Sequence, residues 1–318
     1  MNIVHEILLA EKRIRNYIEK TALIYSPYLS QKGDCEVYLK TENLQKTGSF
    51  KIRGAFNAIL SHSEEKNQSN FVTSSSGNHG IAFAYAIQTL YLKGLIFLPK
   101  TASQVKIADL KQYNSEIRFH GNDCVETEIF ARKYASDAAL TYISPYNDIS
   151  VISGQGTIGI EIEEDLRNVD SIIVPIGGGG LISGIAGYLK NRKENIRVIG
   201  CQPENSPVMY ESIKAGTIVK LDSKPTLSDG TAGGIEPNSI TFDFCKEYVD
   251  DYILISEKEI KSAIRLIFTE QNMIVEGAGV LSIAAFLKNK EEFTNKIVVL
   301  IISGSKISNN DFKEIIDN

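Results

Sequence analysis

The sequence predicts an α/β protein of two lobes, each a mostly parallel sheet wrapped by helices. Two series of strands carry that expectation. From Phe71 onward, short apolar runs alternate with loops and helix-period segments, the spacing of a parallel sheet with crossover helices. From Ser171 a second series of the same kind begins. Length is the third observation, since 318 residues exceed what one compact core usually supports. The expected division is a large domain of residues 1–64 and 146–318 and a small domain of residues 65–145.

An amphipathic helix opens the chain, because Ile3, Ile7, Ile14 and Ile18 recur at helical spacing. Glu36–Lys40 reads as a short strand. The turn-prone Thr47-Gly48-Ser49 precedes an apolar-periodic helix to about residue 61, with Ser49 as its N-cap and Lys51 in its first turn. Residues 61–70 are polar throughout and read as a surface linker at the lobe boundary. The first series has strands over 71–73, 95–98 and 116–120, with helices over 81–92, 103–113 and 125–137. In the second, a strand over 171–176 leads through four glycines to a helix over 181–191 and a strand over 196–201. Residues 222–237 are rich in Gly, Ser and Thr with little periodicity, which suits a long functional loop. Helices over 257–271 and 278–289 follow, and a strand over 297–302 ends at Ser303-Gly304-Ser305.

Composition narrows the function classes. With 43% hydrophobic and 23% charged residues the chain is an ordinary soluble globular one. Net charge is -5 and no basic stripe is visible, so nucleic acid is not expected as a partner, because phosphate neutralisation needs one. The best apolar run, 297–302, is far too short to span a membrane. Cys35, Cys124, Cys201 and Cys245 lie far apart with no C-x-x-C spacing and read as reduced structural thiols. The four histidines are scattered, so no histidine-based metal site is expected. Glu6 stands where a signal peptide wants a basic region, and Glu11-Lys12-Arg13 interrupts any apolar core of one; the cytoplasm is the expected compartment.

Lys51 is the first residue that points to chemistry. A helix N-terminus is partially positive, so an ammonium there needs a nearby anion or must be neutral. A lysine of depressed pKa is a nucleophile toward carbonyls. The plain alternative is a solvated basic face of Lys46, Lys51 and Arg53. Gly177, Gly178, Gly179 and Gly180 lie between a buried strand and a helix, where only residues without side chains let several backbone amides converge on a phosphate. A dinucleotide fingerprint does not fit, because G-x-G-x-x-G read from Gly178 places Ser183 last and the next strand ends at Gln202, not at an acid. Ser74 to Gly80 forms a second strand-to-helix turn whose amides and hydroxyls suit a carboxylate, and Asn78 can meet a ring hydroxyl. Glu276-Gly277-Ala278-Gly279 and Ser303-Gly304 complete the small-residue loops expected at the carboxyl edge of an α/β sheet. A lysine, a phosphate cradle and a carboxylate cradle in one cleft describe a pyridoxal phosphate enzyme acting on an amino acid.

The segment from Lys40 to Ala55, with Thr47-Gly48-Ser49-Phe50-Lys51-Ile52-Arg53-Gly54-Ala55 at its end, resembles the Schiff-base segment of threonine/serine dehydratases and serine racemases, which are fold-type II pyridoxal phosphate enzymes. Ser75-Ser76-Gly77-Asn78-His79-Gly80, the tetraglycine and Gln155-Gly156-Thr157 are similar to the same family in the same order, so the resemblance covers nearly the whole chain. It implies Lys51 as the Schiff-base lysine and Cα base, with Ser76 the second catalytic residue in racemases. Phe50, Asn78, Gly177, Gly178, Gly179, Gly180, Leu181, Glu276 and Ser303 are implied as cofactor-binding, and Ser75, Ser76 and His79 as substrate-binding. The implied reaction is β-elimination from L-threonine or L-serine to a 2-oxo acid and ammonia, and the implied assembly is a homodimer. Sulfhydrylase relatives carry a different lysine segment. Racemisation is the alternative activity, and a non-catalytic phosphate-binding module the remaining one. Against the racemases, Gln202, Ser206 and Val208 stand where their divalent-metal site needs two acids, and Glu126 stands near where they use an arginine. Lys306 replaces a usual asparagine, and a C-terminal regulatory domain is not expected.

Overall fold

The computed structural model describes residues 2–66, 70–122, 124–193 and 195–317. The chain opens with α1 (Ile3–Ile14), capped by the Asn2 side chain, which accepts from the His5 amide, and buried through Ile3, Ile7, Ala10 and Ile14. Then come β1 (Leu23–Tyr25), α2 (Pro27–Gly33), β2 (Glu36–Lys40) and α3 (Lys51–Lys66). Helix α3 continues through the first half of the stretch read as a linker, and residues 67–69 of that stretch lie outside the described residues.

The first strand series follows as β3 (Asn70–Ser74), α4 (Asn78–Thr89), β4 (Lys93–Leu98), α5 (Gln104–Leu110), β5 (Glu116–Phe119), α6 (Cys124–Asp137) and β6 (Thr141–Tyr142). Its four strands form a wholly parallel sheet in the order β5-β4-β3-β6. The second series is α7 (Ile149–Asp165), β7 (Ser171–Pro175), α8 (Gly180–Arg192), β8 (Arg197–Pro203), α9 (Val208–Ala215), α10 (Ile240–Tyr248), β9 (Asp251–Ile255), α11 (Glu257–Gln271), α12 (Leu281–Lys288), β10 (Ile297–Ile301) and α13 (Asn309–Asp317). Its strands join the first two in a six-stranded sheet, β1-β2-β10-β7-β8-β9, parallel except at the β1–β2 edge. The large sheet thus takes strands from both ends of the chain, and the small sheet is inserted between them.

Strand β7 is buried along its whole length, as a central parallel strand covered on both faces must be. Each fully buried Ile or Val there stabilises the fold by about 1.5–3 kcal/mol relative to exposure. Helix α7 is the centre of the helical layer, touching α1, α3 and α8. Its glycines allow this: a Cβ on Gly154 would lie 2.6 Å from Arg53 O, and one on Gly184 of α8 would lie 2.3 Å from Ile152 O. The sequence reading assigns no element at α7, because the glycines of Ser153-Gly154-Gln155-Gly156 weaken the helical signal when the helices that press against it are unknown. The Asp148 side chain caps α7 by accepting from the Ser150 amide at 2.6 Å and the Val151 amide at 3.3 Å. Residues 222–237 have no regular structure beyond a single 3-10 turn, Asp229–Thr231, in agreement with the long-loop reading. None of the four cysteines forms a disulfide among the described residues.

Candidate active site

Lys51 is the first residue of α3. Ser49 does not cap the helix as expected; its backbone bridges to Gly304, and its Oγ is buried without a hydrogen-bond partner among the described residues. The Phe50 amide donates to Ser303 O at 3.1 Å, so the turn before Lys51 is tied to the chain leaving β10. Lys51 Nζ donates to Pro145 O at 2.8 Å and lies 5.2 Å from the centre of the Phe50 ring. The side chain is half-buried, and burial around the amine lowers it to about 8, with the Glu276 carboxylate acting in the opposite direction. A fraction of the amine is therefore neutral near physiological pH.

The basic-face reading holds only for Lys46, which is exposed and pairs with Glu19 at 3.4 Å. Arg53 is fully buried: Nε lies 2.8 Å from Glu42 Oε2 and Nη1 lies 2.8 Å from Glu161 Oε1. Lys40, also fully buried, pairs with the same Glu161. The turn after Lys51 is thereby anchored to α7 and to the 3-10 turn Glu42–Leu44 that follows β2, and this ionic core holds the helix end in place.

The tetraglycine stands between β7 and α8, and each residue has a reason to lack a side chain. A Cβ on Gly178 would lie 2.4 Å from the Tyr146 ring and one on Gly180 would lie 3.1 Å from Tyr146 Cα. On Gly177 it would be 3.0 Å from Thr231 Cα, and Gly179 has φ 89°. Thr241 Oγ1 donates to Gly178 O at 2.6 Å and fixes the loop from the other side. No side chain caps α8, so its first amides, including that of Leu181, are open to an anion.

The second loop leads from β3 into α4, again without a side-chain cap. Ser75 and Ser76 are half-buried, and the Gly77 amide donates to Ser75 Oγ at 3.3 Å. Gly80 lets the loop lie flat on the helix, since a Cβ there would be 2.0 Å from Ser75 O. His79 is buried behind the loop, its Nε2 3.1 Å from Thr73 Oγ1 and 3.3 Å from Ile143 O. Burial, and then the Lys51 charge, push its imidazole down to about 3, so it is neutral at all working pH values.

Asn78 joins the two halves. Its Nδ2 donates to Glu276 Oε1 at 2.9 Å, while its Oδ1 is buried without a partner among the described residues. Glu276 also accepts from the Lys306 amide at 3.0 Å and lies against Gly304, where a Cβ would be 2.3 Å from its Oε1. Burial pushes its carboxyl up to about 7 despite the Asn78 hydrogen bond. Lys306 thus serves the loop through its backbone, whatever its side chain. Ser303 is buried and reached through the Phe50 amide.

Phe50, Lys51, Asn78, Glu276 and Ser303 are thus gathered by direct contacts, and the tetraglycine reaches Lys51 through Tyr146 and the adjacent Pro145. The sequence reading missed Pro145, Tyr146, Thr231 and Thr241, which shape the cradle; the Ser-Pro-Tyr-Asn-Asp turn at 144–148 was their available signal. The unpartnered Asn78 Oδ1 and Ser49 Oγ, together with a glycine cradle at a helix N-terminus, fit a phosphorylated ring compound bearing a hydroxyl.

Residues 14–304 match the family described as pyridoxal-phosphate dependent enzyme. The chain belongs to that family. Over 317 residues it is 40% identical to L-threonine ammonia-lyase of Thermotoga maritima, a similarity that spans 100% of this chain and 79% of that protein. Among solved structures it resembles the processed form of threonine deaminase isoform 2 from Solanum lycopersicum, with TM-score 0.93 at 30% identity over 99% of this chain and 86% of that one. It also resembles maize serine racemase, with TM-score 0.91 at 30% identity over 98% and 95% of the two chains. As a pyridoxal-phosphate dependent enzyme of fold-type II, the protein uses pyridoxal phosphate as its cofactor. Gln202 and Ser206, the positions compared with the racemase metal site, bond internally to Ile176 O, the Tyr210 amide and Ser223. Among the described residues no helix is long and apolar enough to cross a membrane.

Proposed function

We propose that the enzyme removes water and ammonia from L-threonine or L-serine to release a 2-oxo acid. The observation that carries this reading is Lys51 at the start of α3, its amine lowered to about 8 and held by Pro145 O within a dehydratase-type Thr-Gly-Ser-Phe-Lys segment. The similarity to an L-threonine ammonia-lyase over the whole chain supports it.

Pyridoxal phosphate, when bound, supplies the electron sink that stabilises negative charge at the substrate Cα. Lys51 would hold the cofactor through its amine and would serve as the base for the substrate Cα proton. Gly177, Gly178, Gly179, Gly180 and Leu181 hold the phosphate through backbone amides at the α8 N-terminus. Phe50 would pack beside the ring, and Asn78 Oδ1 would be available as an acceptor for its hydroxyl. Ser303 would offer a neutral hydroxyl to the ring nitrogen, which suits elimination over amino-group transfer. Glu276 orients Asn78 through the 2.9 Å bond. Ser75, Ser76 and the α4 amides bind the substrate carboxylate, and buried His79 supports their loop from behind.

Ser76, a hydroxyl in the loop assigned to the substrate, gives a second reading: return of the proton to Cα from the other face, which racemises serine. The amino-acid substrate class is common to both. A homodimer is proposed from the family and a cytoplasmic location from the reduced cysteines. The purified protein is expected to show a visible absorbance band that Lys51→Ala abolishes and to form 2-oxo acid from L-threonine and L-serine. A colourless wild-type protein, or D-serine formed faster than 2-oxo acid, overturns the dehydratase reading.

A further inference from the structure

The segment 144–148 crosses between the lobes and carries three features of the site. Pro145 O takes the Lys51 amine, Tyr146 covers Gly178 and Gly180, and Asp148 caps α7. Beside the Ile240 amide, which donates to Asn147 Oδ1 at 3.0 Å, the segment is held by Glu236, in the long loop after β8. Its backbone amide donates to Tyr146 Oη at 2.9 Å, and its Oε2 accepts from Asn147 Nδ2 at 2.9 Å. Its Oε1 accepts from Arg132 Nη2 at 2.5 Å. Arg132 belongs to α6, which packs on the small sheet, so the ion pair joins the two lobes. The guanidinium is itself fixed, 4.3 Å from the centre of the Tyr142 ring and 3.1 Å from Glu128 Oε1. The chain then enters α10, whose Thr241 holds Gly178 O. One short stretch, 236–241, therefore grips the phosphate cradle from both sides, through Tyr146 above and Thr241 below.

We propose that Glu236 is a positioning residue for the cofactor phosphate: anchored to Arg132 and Asn147, it clamps Tyr146 over the tetraglycine and keeps the cradle closed. This rests on the reading of the tetraglycine as the phosphate site. Glu236 does not touch the reacting atoms. Its two side-chain bonds, one of them an ion pair, fix where its amide and the Tyr146 hydroxyl meet. A hydrogen bond to a charged group contributes enough that its loss weakens a dependent binding step by about tenfold.

The test compares binding of pyridoxal phosphate with binding of pyridoxal, which has the ring and carbonyl but no phosphate. Cofactor is removed from the purified holoenzyme and each compound is titrated back while the visible band is followed. In Glu236→Ala the Kd for pyridoxal phosphate is expected to rise about tenfold while that for pyridoxal stays within about twofold of wild type. Tyr146→Phe, which removes only the hydroxyl, is expected to reproduce that selective loss. Glu236→Gln, which keeps one acceptor and the side-chain length, is expected to recover most of the affinity. Equal weakening of both compounds, or no change in either, overturns the proposal. Should the wild-type protein bind neither compound, the reading of the cofactor site fails instead, which distinguishes the two failures.

Discussion

Arg53→Ala is the sharpest test of how the catalytic helix is held. The guanidinium makes four bonds to two buried carboxylates, to Glu42 at 2.8 and 2.8 Å and to Glu161 at 2.8 and 2.9 Å, a fifth to Thr157 Oγ1 at 3.1 Å and a sixth to Glu19 O at 3.4 Å. Removing it leaves Glu42 and Glu161, both buried, facing each other with Lys40 and Arg15 as the remaining cations. Breaking a buried pair from one side costs about 3–5 kcal/mol. The titration of Glu161 gives a similar figure. Burial alone would raise its carboxyl, but Arg53 and then Lys40 more than reverse that and hold it at about 2 against an ordinary 4.5. That difference corresponds to about 3 kcal/mol of stability. Because the folded value is depressed, this stabilisation is present above pH 4.5 and is lost as pH falls toward 2. The assay is urea unfolding of cofactor-free protein, followed by far-UV circular dichroism because the chain has no tryptophan. Wild type should lose stability steeply on the acid limb, whereas Arg53→Ala should start about 3–5 kcal/mol lower at pH 7 and show a flatter limb. A loss under about 1 kcal/mol with an unchanged acid limb would refute the assignment, since that is what an exposed pair gives.

Three further outcomes are expected. Gly178→Ala places a methyl 2.4 Å from the Tyr146 ring and should raise the Kd for pyridoxal phosphate by more than about tenfold, whereas Gly234→Ala, with nothing within 4 Å, should leave it unchanged; titration of the visible band checks both. Glu276 is more easily protonated folded than unfolded, at about 7 against 4.5, so its buried charge costs the cofactor-free protein about 3 kcal/mol, developing as pH rises across that window; urea midpoints at pH 5 and pH 8 should differ less in Glu276→Gln than in wild type. Ser76→Ala should suppress formation of D-serine from L-serine more than formation of 2-oxo acid, measured by chiral product analysis, and equal loss of both refutes the role of Ser76 as second acid/base.

Strand-loop-helix alternation made both sheets legible, because a parallel strand buried on both faces leaves a compact apolar run such as Ile172-Ile173-Val174. Elements with weaker local signals were not legible. Strand β6 has only two residues, and β9 is half-exposed along most of its length. Helix α7 is not assigned from the sequence because its glycines exist for the sake of neighbours distant in sequence: Gly154 accommodates Arg53 and Gly54, and Gly156 accommodates Ile7. The site followed the same rule. The tetraglycine and the Ser75 to Gly80 turn were legible because backbone amides bind anions by local geometry alone.

Lys51 and Arg53 show where local reasoning stops. Both are basic residues in the first turn of an apolar helix, and nothing within that helix distinguishes them. Their fates are set by partners far along the chain. Arg53 meets Glu161, 108 residues away, and becomes a fully paired structural cation. Lys51 donates to the carbonyl of Pro145, 94 residues away, with Glu276 acting from a distance. A guanidinium with two carboxylates remains charged, whereas an amine desolvated opposite a neutral carbonyl gives up its proton more readily. The same helix turn therefore holds one cation that fixes the fold and one amine left available for chemistry. The carboxylates beneath α3 make this possible, because they engage Arg53 completely and leave Lys51 free to bond a carbonyl.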